Sequence, residues 1–203
     1  MGQRERAMTT RRAFRLVIGL ATVLTVAMPT HARAEEAPPS APSPHAVEAM
    51  RLLDSKDTYQ RELGFLRLEA LREPGTVSVI QRYVQDRDPD TRAYSLRALA
   101  AIQGAEAIPV LSQALRQDRE ARVRRAAILG LEPFERANAE VLPALIKALR
   151  DKNVEVRITA VDVVSRIDDP KAKEAILVRH KRERSSDVRR VLVSAMKRLG
   201  QRS

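Results

Sequence analysis

The chain has 203 residues, 44% hydrophobic but only 3% aromatic, with no Cys, no Trp and a formal net charge of +11. The lack of Cys excludes disulfides, thiolate zinc sites, a thiol nucleophile and a lipid-modified cysteine anchor, and three His are too few for a His-based metal cluster. The charge points first to nucleic acid, but six Arg against Glu5 put +5 of it in residues 1–34 and leave +6 for the rest.

Residues 4–15 are Arg-rich, and Leu16 to Met28 form an uncharged, mostly apolar run ended by Pro29. A bilayer-spanning helix needs about 20 apolar residues, so this shorter run reads as a bacterial secretory signal peptide over residues 1–34. Ala32-Arg33-Ala34 supplies the small-x-small cleavage site before Glu35. Within it, "TRRAFRL" (Thr10 to Leu16) resembles the twin-arginine export signal, with Arg15-Leu16 standing where Leu-Lys is usual. That resemblance implies transport in the folded state, but paired Arg also occur in ordinary secretory leaders, so both routes stay open. The expectation is an exported protein, periplasmic or secreted, with no transmembrane span after cleavage behind Ala34. Residues 35–44 carry four Pro and read as an extended linker.

From about residue 54 one phrase recurs. Arg61, Arg92, Arg124, Arg157 and Arg189 are spaced 31, 32, 33 and 32 residues apart. Four residues after them stand Phe65, Leu96, Ile128, Val161 and Val193; seven after, Leu68, Leu99, Leu131, Val164 and Met196; ten after, Leu71, Ile102, Phe134, Ile167 and Leu199. All are apolar, and steps of three and four put them on one side of a helix. Three residues after each Arg come Gly64, Ser95, Ala127, Ala160 and Leu192, mostly small, so a neighbouring helix can come close. Four before each Arg are Asp57, Asp88, Glu120, Asn153 and Ser185, and all but the Glu are good N-caps. Breakers follow at Pro74-Gly75, Gly104, Pro133 and Pro170, and then a second helical run begins. Pro133 should stop its helix early and leave Phe134 in the turn. One helix pair cannot bury its apolar stripe alone, whereas stacked pairs share a continuous core. The expected fold is all-α: an α-solenoid of about five helix pairs with a period near 32 residues, over residues 45–203, the fifth unit ending after its first helix.

The pattern D-x-x-x-x-V-R-x-x-A, at Asp118 to Ala127 and Asp151 to Ala160, resembles the HEAT-like repeats of the phycobilisome-lyase type. The resemblance implies architecture and is nearly silent about activity, since such repeats occur in lyase-like, scaffold and regulatory proteins. It also implies that second helices line a concave surface. The recurring arginines read as structural: with Asp86, Asp118 and Asp151 each six residues ahead of its Arg, the residues Arg61, Arg92, Arg124, Arg157 and Arg189 should form a ladder of charge-assisted bonds across the turns.

Catalytic chemistry is hard to find. There is no glycine-rich phosphate loop, His45 stands alone, and Asp168-Asp169 read as solvated turn residues. His180 occupies a place where other second helices have Val84, Leu115 and Leu149; it admits a site reading or a frayed helix end. One pattern stands outside the core. Taking Ile80, Leu111, Leu145 and Leu177 as the apolar anchors of the second helices, Arg82, Gln113, Lys147 and Arg179 follow two residues later, and Gln85, Arg116, Arg150 and Arg182 five later. The two sets lie three apart and share one face. They read as a positive strip for a partner, or as cations that complement helix dipoles. The expectation is an exported, non-enzymatic binding or scaffold module without cofactor, whose partner is a protein with an acidic surface or an anionic polymer. No nucleic acid is expected, because single-strand binding uses aromatic platforms. The alternative is a lyase-like protein that handles a chromophore or cofactor.

Overall fold

In the computed structural model, residues 41–136 and 138–200 are described, and all their regular structure is helical. The expected leader, its cleavage site and residues 35–40 of the linker lie outside the described residues. The helices are α1 (Pro44–Leu53), α2 (Thr58–Leu71), α3 (Val77–Gln81), α4 (Pro89–Gln103), α5 (Ile108–Gln117), α6 (Ala121–Leu131), α7 (Val141–Ala148), α8 (Val154–Val164), α9 (Pro170–Arg182) and α10 (Ser186–Gly200). Short 3-10 turns flank α3 on both sides and precede α5. Another, Glu132–Phe134, follows α6 and carries Pro133 and Phe134.

The helix starts follow from local chemistry. Asp57 accepts from the Tyr59 N–H, Asp88 from Asp90, Asn153 from Glu155 and Val156, and Asp169 from Lys171, while Glu120 makes no side-chain cap. Each accepted N–H is one that the helix itself leaves free. Helix α1 has no counterpart among the elements expected from sequence. Its cap is Ser43, whose Oγ accepts from the Ala46 N–H, and Pro44 takes the first helical position. The last two residues of the expected linker therefore begin the solenoid. Glu73, in the turn after α2, accepts from both the Ser43 N–H (2.8 Å) and the Ser43 Oγ–H (2.5 Å) and fixes that start.

The Arg-bearing helices α2, α4, α6, α8 and α10 stack in chain order as one layer. Each of α1, α3, α5, α7 and α9 packs on the helix that follows it. Counting α1 therefore gives five complete pairs among the described residues, with the fifth closed by α10. Between the helices lie Phe65, Leu68, Leu96, Leu99, Ile128, Leu131, Val161 and Val164, all buried. The small residue three after the Arg acts as expected at Gly64: a Cβ there would meet Ala49 O at 2.9 Å and Leu53 Cδ2 at 2.8 Å, so only glycine lets α1 approach α2 this closely. By length and composition the run Pro89–Gln117 is apolar enough to cross a bilayer. Yet Gly104, at φ 59°, breaks it into α4 and α5, and its Leu96, Leu99 and Leu111 lie in the core, so repeat packing accounts for its hydropathy.

Candidate functional site

The repeated arginines connect one unit to the next. Arg92 donates through Nε and Nη2 to the two carboxylate oxygens of Asp118, at 2.8 and 2.9 Å. Arg124 does the same to Asp151 at 2.8 and 2.7 Å, and Arg157 to Glu183 at 3.0 and 3.1 Å. Arg61 reaches Asp88 with one bond of 2.9 Å. The remaining Nη1 of each donates to two carbonyls of its own turn: Ser55 and Lys56, Asp86 and Arg87, Asp118 and Arg119, Asp151 and Lys152. A planar guanidinium with five donors thus fastens the turn before its own helix to the turn of the next unit.

This geometry corrects the expected pairing. The Asp six residues ahead offers its own Arg a backbone carbonyl, not a carboxylate. Asp118 and Asp151 give their carboxylates to the Arg of the preceding unit. Asp86 gives its carboxylate to the Asp88 N–H, and Asp88 takes the ionic role beside Arg61. Glu183 completes the series and was missed because it is a Glu; it stands six residues before Arg189, the position that Asp86, Asp118 and Asp151 hold. Arg189 itself is exposed and makes no side-chain bond among the described residues.

The electrostatics follow the geometry. Burial would raise the Asp118 and Asp151 carboxyls, but the hydrogen bonds from Arg92 and Arg124 and from backbone N–H groups outweigh it and hold both below the ordinary aspartate value. Glu183 is the extreme case. Its side chain is 1% exposed and lies between Arg157 and Arg179. Burial again pushes upward, yet bonds from Arg157, the Ser185 N–H and Arg179 bring the carboxyl down to about 2.

The residues of the expected positive strip fall on the second helices (Gln113, Arg116, Lys147, Arg179, Arg182) and in the turns just after them (Arg82, Gln85, Arg150). Arg82, Gln85, Gln113, Arg116, Lys147, Arg150 and Arg182 are exposed. Arg179 is not part of the strip as drawn, because its guanidinium turns back onto Glu183 and joins the ladder. The reason is a register slip of one residue: on α9 the buried anchor is Ile176, at 0% exposure, while Leu177 is 44% exposed. His180 is half-buried, four residues after Ile176, as Leu115 and Leu149 are four after theirs.

Three clefts open between successive second helices. One of about 190 Å³, between the turn after α3 and α5, is bordered by Gln85 and Gln113. One of about 580 Å³, between α5 and α7, is bordered by Arg116, Lys147 and Arg150. One of about 280 Å³, between α7 and α9, is bordered by Arg150, Arg179 and Arg182. Arg82 lies outside them, with its guanidinium 6.0 Å from the Tyr83 ring centroid. The side chains of Arg116, Lys147, Arg150 and Arg182 make no hydrogen bond or ion pair among the described residues. No group of three or more His, Asp or Glu side chains suited to a metal ion occurs among the described residues.

The comparisons with known proteins agree with the architecture. The HEAT repeats family matches residues 49–132 and, overlapping, 108–197. No curated protein matches the sequence. Among solved structures, the chain is similar to one in the complex of CpcE and CpcF of phycocyanin lyase from Nostoc sp. PCC7120, with a TM-score of 0.60 and 24% identity over 74% of this chain and 96% of that one. It is also similar to a designed armadillo repeat protein, with a TM-score of 0.50 and 16% identity over 74% of this chain and 80% of that one. The first likeness corrects the expectation that the chain is not an enzyme. A chain of this architecture belongs to a lyase, so the lack of a recognisable nucleophile or metal set in the sequence was no ground for excluding enzymatic work. A surface spread over several repeats need not announce itself in any local motif. The five buried helix pairs, the constant spacing of the arginines and the family match together place the chain in the HEAT repeat family.

Proposed function

We propose that the solenoid binds an acidic protein segment on the face made by its second helices. The observation that carries this reading is the contrast in charge pairing. On the first helices Arg67, Arg97, Arg122 and Arg125, and just past α8 Arg166, each reach a carboxylate, whereas Arg116, Lys147, Arg150 and Arg182 reach none among the described residues. A surface of one sign attracts a partner of the other and speeds its encounter. The test is binding of the full chain to immobilised polyglutamate across a salt series. Tight, salt-sensitive binding is expected, weakened by the triple change Arg82→Glu, Lys147→Glu and Arg182→Glu with the helical circular-dichroism signal intact. Unchanged binding by the triple variant would remove this face.

A second reading rests on the likeness to the phycocyanin lyase chain: a part in handling a chromophore or cofactor. Visible absorbance that copurifies with the chain would favour it, and a colourless protein that takes up no added chromophore would count against it.

The leader belongs to the same proposal. Its basic, apolar, small-residue order supports export, with cleavage between Ala34 and Glu35. N-terminal sequencing of the processed protein should begin at Glu35, and an intact Met1 on a membrane-bound form would overturn this. Changing Arg11 and Arg12 together to Lys should block export only on the twin-arginine route.

A further inference from the structure

The three clefts on the second-helix face are not equivalent, and if that face binds a partner, as proposed above, one of them is set apart to anchor it. The cleft between α3 and α5 has amides at its border (Gln85, Gln113, Gln117) and no cation. The cleft between α7 and α9 shares Arg150 with its neighbour, sets Glu174 against Arg150, Lys171 and Arg182, and has its Arg179 already held by Glu183. The cleft between α5 and α7 is the largest, at about 580 Å³, and it differs in kind. Besides Arg124, which is held by Asp151, its cations are Arg116 from α5, Arg119 from the next turn, Lys147 from α7, and Arg150 and Lys152 from the turn beyond. None of these five makes a hydrogen bond or ion pair through its side chain among the described residues.

Two carboxylates also border this cleft, Asp118 and Asp151. Both are occupied, since Arg92 and Arg124 hold them through paired bonds of 2.7 to 2.9 Å. The ladder therefore cancels the acids of the cleft and leaves its unpaired cations to set the sign. Leu115, Ala144 and Ala148 supply an apolar lining, with Leu115 and Ala148 among the buried residues of the core cluster.

We propose that the cleft between α5 and α7 is the anchoring subsite of this face. It takes one apolar side chain of an acidic protein segment, with the flanking carboxylates of that segment on Arg116, Lys147 and Arg150. An apolar pocket surrounded by charge is the arrangement in which a single inserted side chain dominates an interface, while the charges fix register and exclude basic partners. A compact polyanion such as pyrophosphate would satisfy the cations but leave the apolar lining unused, so a peptide fits better.

The chain contains no Trp, so a Trp in the probe reports without background. The probe is a peptide of glutamates around one central tryptophan, titrated with the full chain. Its emission should shift to the blue on binding, as the indole leaves water. Lys147→Glu with Arg150→Glu should weaken binding by about tenfold or more, whereas the charge-matched pair Arg82→Glu with Arg182→Glu should weaken it by about twofold, through the general field alone. Circular dichroism confirms the fold of each variant. Equal losses from the two pairs, or binding without a blue shift, would overturn the subsite and leave the binding face standing. Displacement of the peptide by equimolar pyrophosphate would overturn the peptide in favour of a compact polyanion. No binding by the unaltered chain, either of this probe or of polyglutamate, would overturn both the subsite and the face.

Discussion

Arg97 on α4 reaches Glu69 on α2, and Arg122 on α6 reaches Asp90 on α4, each in the neighbouring unit. Lys147 on α7 and Arg116 on α5 have no such partner among the described residues. Both layers carry cations in every unit, so composition does not separate them. The difference lies in where the acids are. Helices α3, α5 and α7 contain no Asp or Glu, so stacking among them brings no second-helix carboxylate beside a cation, and α9 adds only Glu174, in the cleft with Lys171 and Arg182. The turns before the first helices do carry acids, and there the period closes Arg61, Arg92, Arg124 and Arg157 onto the next unit. One repeat can thus write two kinds of cation. Arg61, Arg92, Arg124 and Arg157 are largely covered, paired and part of the stack; Arg116, Lys147 and Arg182 on the second helices are exposed and make no bond among the described residues.

The contrast breaks most visibly at Arg124, whose side chain is 5% exposed. Arg124→Ala strips Asp151 of both its ionic bonds, and removing one partner of a buried pair costs about 3–5 kcal/mol because the other charge is left uncompensated. Urea unfolding measures this. A loss below about 1 kcal/mol, the range of exposed pairs, would mean that the ladder is only decoration.

Core substitutions sharpen the comparison next. Leu99→Ala in the first-helix layer and Ile176→Ala in the second should each cost about 2–5 kcal/mol, since both side chains are fully buried. Leu177→Ala, beside Ile176 but exposed, should stay within about 0.5 kcal/mol. Equal costs at 176 and 177 would restore the register read from sequence.

Acid titration separates the layers by sign. The folded Glu183 carboxyl sits at about 2, against an ordinary 4.5. A folded value below the unfolded one adds stability that is fully present above about pH 4.5 and fades as pH falls toward about 2. For a group this buried the contribution is about 3 kcal/mol. Glu183→Gln should therefore cost about 3 kcal/mol at pH 7 and close to nothing near pH 2. A gap that persists unchanged in acid would assign the loss to packing instead of charge.

How much of this was legible depended on the distance over which a signal acts. The apolar positions four and seven after each Arg are local to one helix, and they gave the solenoid. The Arg positions were equally plain, but their partners were not. A carboxylate 26 or 27 residues downstream lies in another unit, and only the stacking geometry shows that Arg92 meets Asp118 across units while taking a carbonyl from its own Asp86. Glu183 hid behind a change of residue type at a repeat position. The slip on α9 came from adjacent apolar residues, Ile176 and Leu177, which a pattern alone cannot rank. Helix α1 was obscured by the Pro-rich run that ends in its own first residue, Pro44.

The smallest expected effect is on stability at the second-helix face, and its direction is informative. Lys147 borders a cleft with Arg116, Arg119, Arg150 and Lys152, none of them neutralised by a bond among the described residues. Like charges gathered without counter-charges repel one another, and the chain as a whole carries +11. Lys147→Glu relieves some of that repulsion and breaks no bond, so the melting temperature should hold or rise, by an amount equivalent to about 0–1 kcal/mol, and most clearly at low salt. Arg97→Ala, on the paired face, should instead lose about 0–1 kcal/mol, because its bond to Glu69 is exposed. Opposite signs at these two sites would mean that the unpaired cations are held at a cost to folding, as expected of residues kept for binding. A drop in melting temperature for Lys147→Glu would show that the cation contributes to the fold, and the contrast between the two layers would lose its functional meaning.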